Sequence, residues 1–335
     1  MPGEPDITRR LAAALEAGLP LSQEPFRDIA ESLGVSQDFA VSLTEGMLRS
    51  GYIRRFGAFW DRSPLCRGYL FGAAVAPEKL ERTVRRINGM AAVTHNYLRQ
   101  HSLNLWFTAI FRDASPALRL SEWFRRSGTP FVALESVRRI RLRPSFAGEA
   151  AGEGADSLPP CSATPRPAAP LGGIQKKIAA CLCCGMKPAI RLFSGIARLA
   201  GLDEPELLRN LAELRNSGLL RRIGASVSHT AAGYVSNSLA AYDFTGAPEN
   251  DIVMNAQAAI QGRPWASHCY VRKAILSDLE EPWRFNLFVM IHAREESELA
   301  EREKSLAASL VPRSPDRAVT MRTLREYKKT SFRPY

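Results

Sequence analysis

The chain has 335 residues, of which 45% are hydrophobic and 24% are charged. This length exceeds the roughly 100–200 residues of a typical domain, so we expect at least two cores. Because 45 Lys and Arg residues stand against 34 Asp and Glu residues, the formal net charge is +11. This excess favours an anionic partner, whether nucleic acid, an acidic membrane or a polycarboxylate small molecule. No apolar run reaches the roughly 18 residues that span a bilayer, and the first ten residues are too charged for a signal peptide, so we expect a cytoplasmic protein without a membrane partner.

Three short helical patterns open the chain, at Asp6–Ala17, Pro25–Leu33 and Ser36–Arg49. Gly34 marks the turn before the third helix and Gly51 stops that helix, while Ser36 is suited to cap its first turn. A short apolar stretch then follows that is long enough for one strand. This order predicts a winged helix-turn-helix.

Strand-like and helical runs then alternate up to residue 139. The predicted strands are Leu70–Ala76, Ala92–Arg99, Leu103–Phe111 and Phe131–Arg139, and the predicted helices are Pro77–Ile87 and Pro116–Arg126. The order strand, helix, strand, strand, helix, strand is typical of a ferredoxin-like domain.

A stretch rich in Pro, Gly, Ala and Ser follows, at Pro144–Gly173. Such a composition cannot bury enough apolar surface to offset the entropy of ordering the chain. It predicts a flexible tether, which would hold the parts on either side at high effective concentration.

The same succession of patterns then returns. Helical patterns occupy Ile174–Cys184, Leu192–Leu199 and Glu204–Asn216, strands are predicted near Ser238–Phe244, Trp265–Arg272, Phe285–Ala293 and Ala318–Arg325, and a charged helix is predicted at Glu295–Leu310. Gly201 and Gly218 stand at the turns that match Gly34 and Gly51. The hairpin at Lys273–Arg284 is longer than its counterpart.

Three sequence blocks recur in register between the two parts of the chain. They pair Gly51–Ala58 with Gly218–Ala225, His95–Arg99 with His268–Arg272, and Asn104–Thr108 with Asn286–Met290. Recurrence in the same order indicates a duplication. The predicted fold class is therefore α+β, a tandem duplication in which each copy is a winged helix-turn-helix plus a ferredoxin-like βαββαβ domain of Lrp/AsnC type, with the copies paired about a pseudo-twofold axis. The predicted domains are residues 1–62 and 63–143, a linker at 144–173, and residues 174–230 and 231–335.

The six cysteines show no paired CxxC spacing, and in a cytoplasmic chain they are expected to be reduced thiols. Cys181, Cys183 and Cys184 share one helical run, where neighbouring side chains point in different directions. Such side chains cannot enclose a tetrahedral ion, so we predict no metal site from the protein alone.

The predicted recognition helices are poorly suited to DNA. Their first turns carry Asp38 in the first copy and Asp203, Glu204 and Glu206 in the second. Carboxylates there would face the phosphate backbone and weaken binding. The arginine pairs lie on the wings instead, so a DNA-binding wing stays open as an alternative although DNA is not the expected partner.

A His-x-Tyr-x-Arg pattern occurs once in each copy. Alternation along a strand places His95, Tyr97 and Arg99 on one face, and likewise His268, Tyr270 and Arg272. At roughly 3.3 Å per residue each row spans about 13 Å, comparable to the width of a tetrapyrrole. A single such row would be an ordinary polar surface, but two rows in a chain with five His favour a functional face.

The neighbouring strand differs between the copies. Asn286, Phe288, Met290 and His292 share a face in the second copy, and the matching positions in the first are Asn104, Trp106, Thr108 and Ile110. The first copy has His101 in its hairpin instead, so we expect the copies to divide the work unequally. His229, alone after the second wing, is expected to be an exposed polar residue.

The three recurring blocks resemble the siroheme decarboxylases, which are tetrapyrrole-processing relatives of Lrp/AsnC regulators. The resemblance covers both copies and implies two homologous subunits fused in one chain. It implies removal of the acetate carboxyls at C12 and C18 of siroheme to give 12,18-didecarboxysiroheme. The fused form looks most like the heme d1 branch of denitrifying bacteria, with the siroheme-dependent heme branch left open.

The resemblance and the residues together suggest roles. Loss of CO₂ from a pyrrole acetate leaves a carbanion equivalent that must be protonated, and His suits that step near neutral pH. The predicted catalytic residues are His95, Tyr97, His101, His268, Tyr270 and His292. Guanidinium groups would pair with the eight carboxylates of siroheme, and the predicted carboxylate-binding residues are Arg54, Arg55, Arg99, Arg221, Arg222, Arg272, Asn104 and Asn286.

No cofactor is expected, since the macrocycle itself can accept the electron pair. One His could instead ligate the substrate iron axially, and this assignment stays open. Two other functions also stay open: an Lrp/AsnC-type transcriptional regulator responsive to a tetrapyrrole, and a module that binds a tetrapyrrole without changing it. Further copies of the chain or homologous decarboxylase subunits are additional candidate partners.

Overall fold

The computed structural model describes residues 4–61, 66–142, 171–183, 186–310 and 318–330. The N-terminal half (4–142) contains α1 (Glu4–Ala17), α2 (Pro25–Leu33), α3 (Gln37–Arg49), β1 (Ile53–Trp60), β2 (Arg67–Ala73), α4 (Pro77–Asn88), β3 (Val93–Arg99), β4 (Leu105–Phe111), α5 (Ser115–Arg126) and β5 (Phe131–Leu142). The C-terminal half (171–330) contains α6 (Gly173–Cys183), α7 (Leu192–Ala200), α8 (Glu204–Asn216), β6 (Leu220–Val227), β7 (Ser236–Tyr242), α9 (Glu249–Ile260), β8 (Ala266–Ser277), β9 (Leu287–Ala293), α10 (Glu296–Ser309) and β10 (Ala318–Lys329). The predicted tether lies almost wholly outside the described residues.

The helix boundaries follow the capping residues seen in the sequence. Ser36 caps α3 by accepting a hydrogen bond from the Phe39 backbone N–H at 3.2 Å, and Asp203 caps α8 through the Glu206 N–H at 2.6 Å. Gly34 ends α2 with a φ of 69°, a left-handed conformation that favours glycine. The predicted first and last residues of α2 and α8 are confirmed.

Several expectations about the sheet region need correction. The helix α9 was missing from the prediction, and it packs against β8 and β5. The strands β5, β8 and β10 each run to twelve residues, so the first part of the predicted hairpin at 273–284 is strand. The reason is that Ser277 pairs with Val132 of the other half, a partner that the local sequence does not reveal.

The two predicted wings form one sheet that joins the halves. Strands β1 and β6 are antiparallel, and Gly57 is paired with Gly224 near the middle of both strands. The helix α1 also crosses between halves, since the Leu19 N–H donates to the Ile223 carbonyl at 2.7 Å. A single hydrophobic core combines the six helices of both helix-turn-helix units with this wing sheet.

The other eight strands close into an antiparallel barrel in the order β10-β3-β4-β2-β5-β8-β9-β7. Each half supplies four consecutive strands, and the halves meet at two seams, β10 with β3 and β5 with β8. Because every neighbour is antiparallel, β3 and β8 run in the same direction. Their first residues therefore lie at one end of the barrel, and the turns that follow them lie at the other.

We call these the wing end and the hairpin end. At the wing end, Arg54 of β1 lies 3.3 Å from Glu326 of β10, and Asp61 binds Arg139 of β5. The hairpin end carries the β3–β4 turn and the longer β8–β9 connection. Any group on β3 or β8 can thus be assigned to an end.

The barrel interior is packed by apolar side chains of both halves, and the helices α4, α5, α9 and α10 cover its outside. Trp106 and Phe288 are the largest interior residues, with 1% and 2% of their surfaces exposed. A Cβ at Gly72 would lie 2.7 Å from the Trp106 ring, so the indole requires glycine there. The interior is thus a filled core toward the hairpin end.

No helix in the described ranges is long and apolar enough to cross a membrane. The same residues contain no cluster of His, Cys, Asp and Glu that could hold a metal ion. Cys181 and Cys183 pack against the core of the helix-turn-helix units, whereas Cys161 and Cys184 lie outside the described residues.

Candidate active site

Each His-x-Tyr-x-Arg strand begins with a β-bulge. The register of β3 shifts between Val93 and His95, and that of β8 shifts between Ala266 and His268. A bulge re-aims the residue it contains, so strict alternation fails here. As a result, the Thr94 hydroxyl lies 2.9 Å from Nδ1 of His95, and the Ser267 hydroxyl lies 2.7 Å from Nδ1 of His268.

Beyond the bulge, the predicted alternation is confirmed and points into the barrel. Tyr97 is paired with Trp106 and Tyr270 with Phe288, and both of these partners belong to the interior core. Asn96 faces the other way, where its side chain donates to Asn88 of α4 at 2.9 Å.

The two arginines that end the pattern are buried inside the barrel. Arg99 donates to the Met321 carbonyl at 3.0 Å and to the Thr323 hydroxyl at 2.9 Å. Its guanidinium stacks on Tyr97, with 5.0 Å from Cζ to the ring centre, and the described residues provide no carboxylate within ion-pair distance. Burial lowers the pKa of Arg99 to about 10. Arg272 occupies the equivalent place, stacked on Tyr270 and donating to Ser136 at 2.8 Å.

His292 joins His268 through Ser267. Nε2 of His292 lies 2.8 Å from the Ser267 hydroxyl, the same oxygen that contacts His268. Burial is the main reason that the pKa of His292 lies well below its ordinary value, and His229, His268 and Lys329 add repulsion. Burial therefore favours the neutral form of His292.

His229 extends this group, and the expectation that it is exposed was wrong. Only 7% of His229 is exposed, its ring centre lies 5.3 Å from that of His292, and its Nδ1 lies 3.2 Å from Nζ of Lys329. Burial lowers the pKa of His229 to about 4, with Lys329 and Arg54 contributing. Burial also lowers the pKa of Lys329 to about 8. We call His229, Ser267, His268, His292 and Lys329 the histidine cluster.

The two seams differ in charge at the wing end. Tyr97 is paired with Glu326, whose carboxylate contacts Arg54 and Lys329. Burial raises the pKa of Tyr97, and Glu326 raises it further. The equivalent partner of Tyr270 is Arg139, which Asp61 binds with both oxygens at 2.9 and 2.5 Å. One seam thus presents a carboxylate where the other presents an arginine.

Three of the predicted wing arginines do not reach the barrel. Arg55 and Arg222 stack on Phe59, with Cζ 4.6 and 4.0 Å from its ring centre, and they donate to the carbonyls of Ala58 and Ala225. Arg221 lines a small cavity of about 40 Å³ beside the end of α1. These contacts place the three side chains at the wings, and their role as carboxylate ligands stays a prediction.

The predicted asparagines and His101 lie at the hairpin end. Asn104 exchanges two hydrogen bonds of 2.9 Å with the backbone of Val75, and Asn286 accepts from the Phe244 N–H at 2.9 Å. Their amides bind neighbouring backbone groups, and their role in carboxylate binding stays a prediction. His101 packs beside Trp106 and Trp283, and burial lowers its pKa. The structure therefore does not bring His101 to the other histidines.

A groove of about 850 Å³ opens at the hairpin end. Its lining combines an apolar surface that includes Trp283 with charged residues of both signs, which are Arg272, Lys273, Arg284, Glu249 and Glu281. This volume and mixed lining are typical of a small-molecule site. Since Arg272 also stacks on Tyr270 inside the barrel, the groove and the interior share a cation.

Five residues near the site were not predicted from the sequence: Ser267, Lys329, Glu326, Asp61 and Arg139. A signal existed for the first of these, because a hydroxyl residue precedes the His in both recurring blocks. The others become visible only once the seams bring distant strands together.

Two family models match the chain. The AsnC-like ligand binding domain matches residues 67–129 and 231–328, and the siroheme decarboxylase NirDL-like helix-turn-helix domain matches residues 8–54. The observed mixed α/β architecture agrees with both.

The chain is similar to known proteins over nearly all of its length. It is 30% identical over 314 residues to the siroheme decarboxylase of Hydrogenobacter thermophilus. This alignment covers 89% of this chain and 88% of that protein. The siroheme decarboxylase alpha subunit of Nitratidesulfovibrio vulgaris is 30% identical over 142 residues, covering 42% of this chain and 81% of that protein.

A solved structure shares the fold. The crystal structure of the siroheme decarboxylase NirDL in co-complex with an iron-uroporphyrin III analogue superposes with a TM-score of 0.68, at 23% identity, covering 97% of this chain and 93% of that one. At this identity the likeness supports the fold.

Proposed function

Because the chain belongs to the siroheme decarboxylase family, we propose that it removes the C12 and C18 acetate carboxyls of siroheme to give 12,18-didecarboxysiroheme. The product would enter heme d1 synthesis, or the siroheme-dependent route to heme. The observation that carries this proposal is the histidine cluster, which includes the half-buried Lys329 and lies at the wing end of a barrel built from both halves.

Decarboxylation breaks the bond between the acetate methylene carbon and its carboxyl carbon. CO₂ leaves, the electron pair stays on the methylene carbon and delocalises into the macrocycle, and a proton then forms a methyl group. His268 and His95, each next to a hydroxyl, are the proposed proton donors, and Tyr97 and Tyr270 orient the reacting side chain. The macrocycle serves as electron sink, so we propose that no further cofactor is needed.

Binding of the substrate depends on cations at and inside the barrel, of which Arg99 is the most deeply buried. The guanidinium of Arg99 is 4% exposed, and its Nε has no hydrogen-bond acceptor within the described part of the chain. A buried cation in that condition is costly unless an anion pairs with it. Arg99, Arg272 and Arg54 are the proposed carboxylate ligands, with Lys329 added to the predicted set.

We also propose that the halves arose by duplication and fusion of one subunit, with the domain boundaries and the tether given above. The repeated element order and the cross-half seams support this. The alpha subunit in Nitratidesulfovibrio vulgaris, which aligns with 42% of this chain, supports it independently.

The function is tested by anaerobic incubation of the purified protein with siroheme, followed by mass spectrometry. We expect products lighter by one and then two CO₂. Substitution of His268→Ala should lower the rate about 100-fold or more, whereas His101→Ala at the hairpin end serves as the matched control and should retain most activity. A siroheme mass that stays unchanged with the wild-type protein would overturn the proposal.

A further inference from the structure

We propose that Ser267 and His292 relay protons to His268, and that this relay exists in the C-terminal half alone. The inference rests on the proposed function and assigns a positioning role to two side chains that do not themselves touch the reacting carbon. It concerns the supply of the proton, which the decarboxylation consumes once for each carboxyl removed.

The relay is defined by two short contacts on one oxygen. The Ser267 hydroxyl lies 2.7 Å from Nδ1 of His268 and 2.8 Å from Nε2 of His292. A hydroxyl can accept a proton from one neighbour while donating its own to the other. Both Ser267 and His292 are buried, with 0% and 5% of their surfaces exposed, so bulk water does not replace them.

The outer end of the relay lies next to a source of protons. His229 packs against His292 at 5.3 Å between ring centres, and Lys329 lies 3.2 Å from His229. The side chain of Lys329 is 27% exposed, so it connects the cluster with solvent. Arg54 and Glu326 are the other charged groups that face this end.

The N-terminal half has the hydroxyl of this arrangement and lacks the second imidazole. Thr94 contacts His95 at 2.9 Å, but the strand position that matches His292 is Ile110. An isoleucine side chain can neither donate nor accept a proton. His95 therefore has a hydroxyl neighbour with no imidazole behind it.

The proton balance of the step is simple. His268 gives a proton to the methylene carbanion, forming the new C–H bond, and takes one back from the Ser267 hydroxyl. Ser267 is restored from Nε2 of His292. Nδ1 of His292 makes no hydrogen bond within the described residues, so a water molecule must bring it the replacement proton, which comes from solvent at the Lys329 end. No oxidant or reductant is required.

The test compares Ser267→Ala with the matched variant Thr94→Ala in single-turnover assays of siroheme decarboxylation. We expect Ser267→Ala to lower the rate constant of one decarboxylation about 10- to 100-fold with the affinity for siroheme nearly unchanged, so that the product lacking one CO₂ accumulates. Thr94→Ala should change the rate less than about threefold. Ser267→Thr should restore most of the activity, because Thr94 shows that this bulge accepts threonine.

A second variant separates proton transfer from packing. His292→Ala should be slowed to a similar extent, and added imidazole should restore part of its rate, with a pH profile that follows the pKa of the added base. A variant that has only lost packing would not respond to imidazole. Thermal unfolding of each variant shows whether it is folded, and Ser267→Gly replaces Ser267→Ala if the latter is not.

Two results would overturn the relay while leaving the function intact. They are a rate for Ser267→Ala equal to that of Thr94→Ala, and a failure of imidazole to accelerate His292→Ala. If the wild-type protein itself releases no CO₂, the proposed function fails and the relay fails with it.

Discussion

His229 and Lys329 place a buried and a half-buried basic group in contact, 3.2 Å apart. Burial lowers the pKa of both groups and each repels the other, so their protonation is less favourable there than in water. The ligand that relieves this arrangement is an anion, and a substrate rich in carboxylates provides several. The basic pair is thus a cost to the empty protein that binding can offset.

The pKa of His229 predicts how stability depends on pH. In the unfolded chain its pKa is about 6.5, and in the folded chain it is about 4. Between these values the unfolded chain binds a proton that the folded chain does not, so the free energy of unfolding falls as the pH falls. Between pH 7 and pH 4.5, the free energy of unfolding should fall by about 1–3 kcal/mol less in His229→Gln than in the wild-type protein. Urea titrations at the two pH values measure this difference. Equal losses in both proteins would contradict this.

For single residues, the sequence predicted which side chains share a face better than it predicted what those side chains contact. The shared face of Tyr97 and Arg99 followed from strand alternation, and the structure confirms it. The burial of His229 could not be predicted, because Lys329 and His292 approach it only in the folded chain. The distinction between Arg54 and Arg55 depends on which side of the wing faces the barrel, and that is set by the pairing of β1 with β6.

Among the elements, α1 has an unusual position because it belongs to one half and packs on a strand of the other. Its last turn approaches β6 so closely that a Cβ on Gly224 would lie 2.2 Å from the Leu15 carbonyl oxygen and 3.2 Å from Cα of Gly18. Both of these are backbone atoms, so no side-chain rotation can make room. The contact therefore fixes the spacing between the two helix-turn-helix units.

We expect Gly224→Ala to lower the free energy of unfolding by about 1–3 kcal/mol or more, because α1 must move away from β6. Gly46→Ala is the matched control. Its Cβ would meet only the end of the Arg49 side chain at 4.0 Å, and in a helix this change should stabilise the protein by roughly 0.5–1 kcal/mol. Urea unfolding of the two variants measures the difference, and similar stabilities would refute the proposed close contact.

Elements with strong end signals were predicted well, and those without them were not. Helix α8 has an Asp cap, a Pro in its first turn and a Gly after its end, and its predicted limits are confirmed. Helix α9 was missed because its sequence, Glu-Asn-Asp-Ile-Val-Met-Asn, is rich in residues that favour turns or strands. Its packing against β8 outweighs that weak local preference.

The whole molecule is held together by strands that pair across the halves. Removing the C-terminal half would expose the edges of β3 and β5, and removing the N-terminal half would expose those of β10 and β8. The wing sheet would lose one of its two strands as well. Each half alone therefore has an open barrel sheet and a single wing strand. It also lacks the other half's part of the core that the helix-turn-helix units share.

We expect the two halves to assemble from separate chains. Residues 1–150 and 165–335, produced together, should co-purify in equal amounts and retain siroheme decarboxylation within about tenfold of wild type. Each piece produced alone should be insoluble or self-associated, because unpaired edges recruit other strands. Size-exclusion chromatography with mass detection measures this outcome, and a stable, monomeric single half would contradict it.

The order of the elements within each half could be predicted from the sequence, since hydrophobic periodicity and turn residues are local. Barrel closure could not, because it depends on the complementarity of β5 with β8 and of β10 with β3, strands that lie far apart in the chain. The same limit applies to the histidine cluster, whose members come from the β6–β7 connection and from β8, β9 and β10.

Ring closure also has a consequence for synthesis. The N-terminal half leaves the ribosome first, and β3 cannot be covered until β10, at the far end of the chain, has been made. At about 5–20 residues per second, the wait is on the order of tens of seconds. During that interval the growing chain carries two open strand edges, so it is at its most vulnerable to aggregation before the last strand emerges.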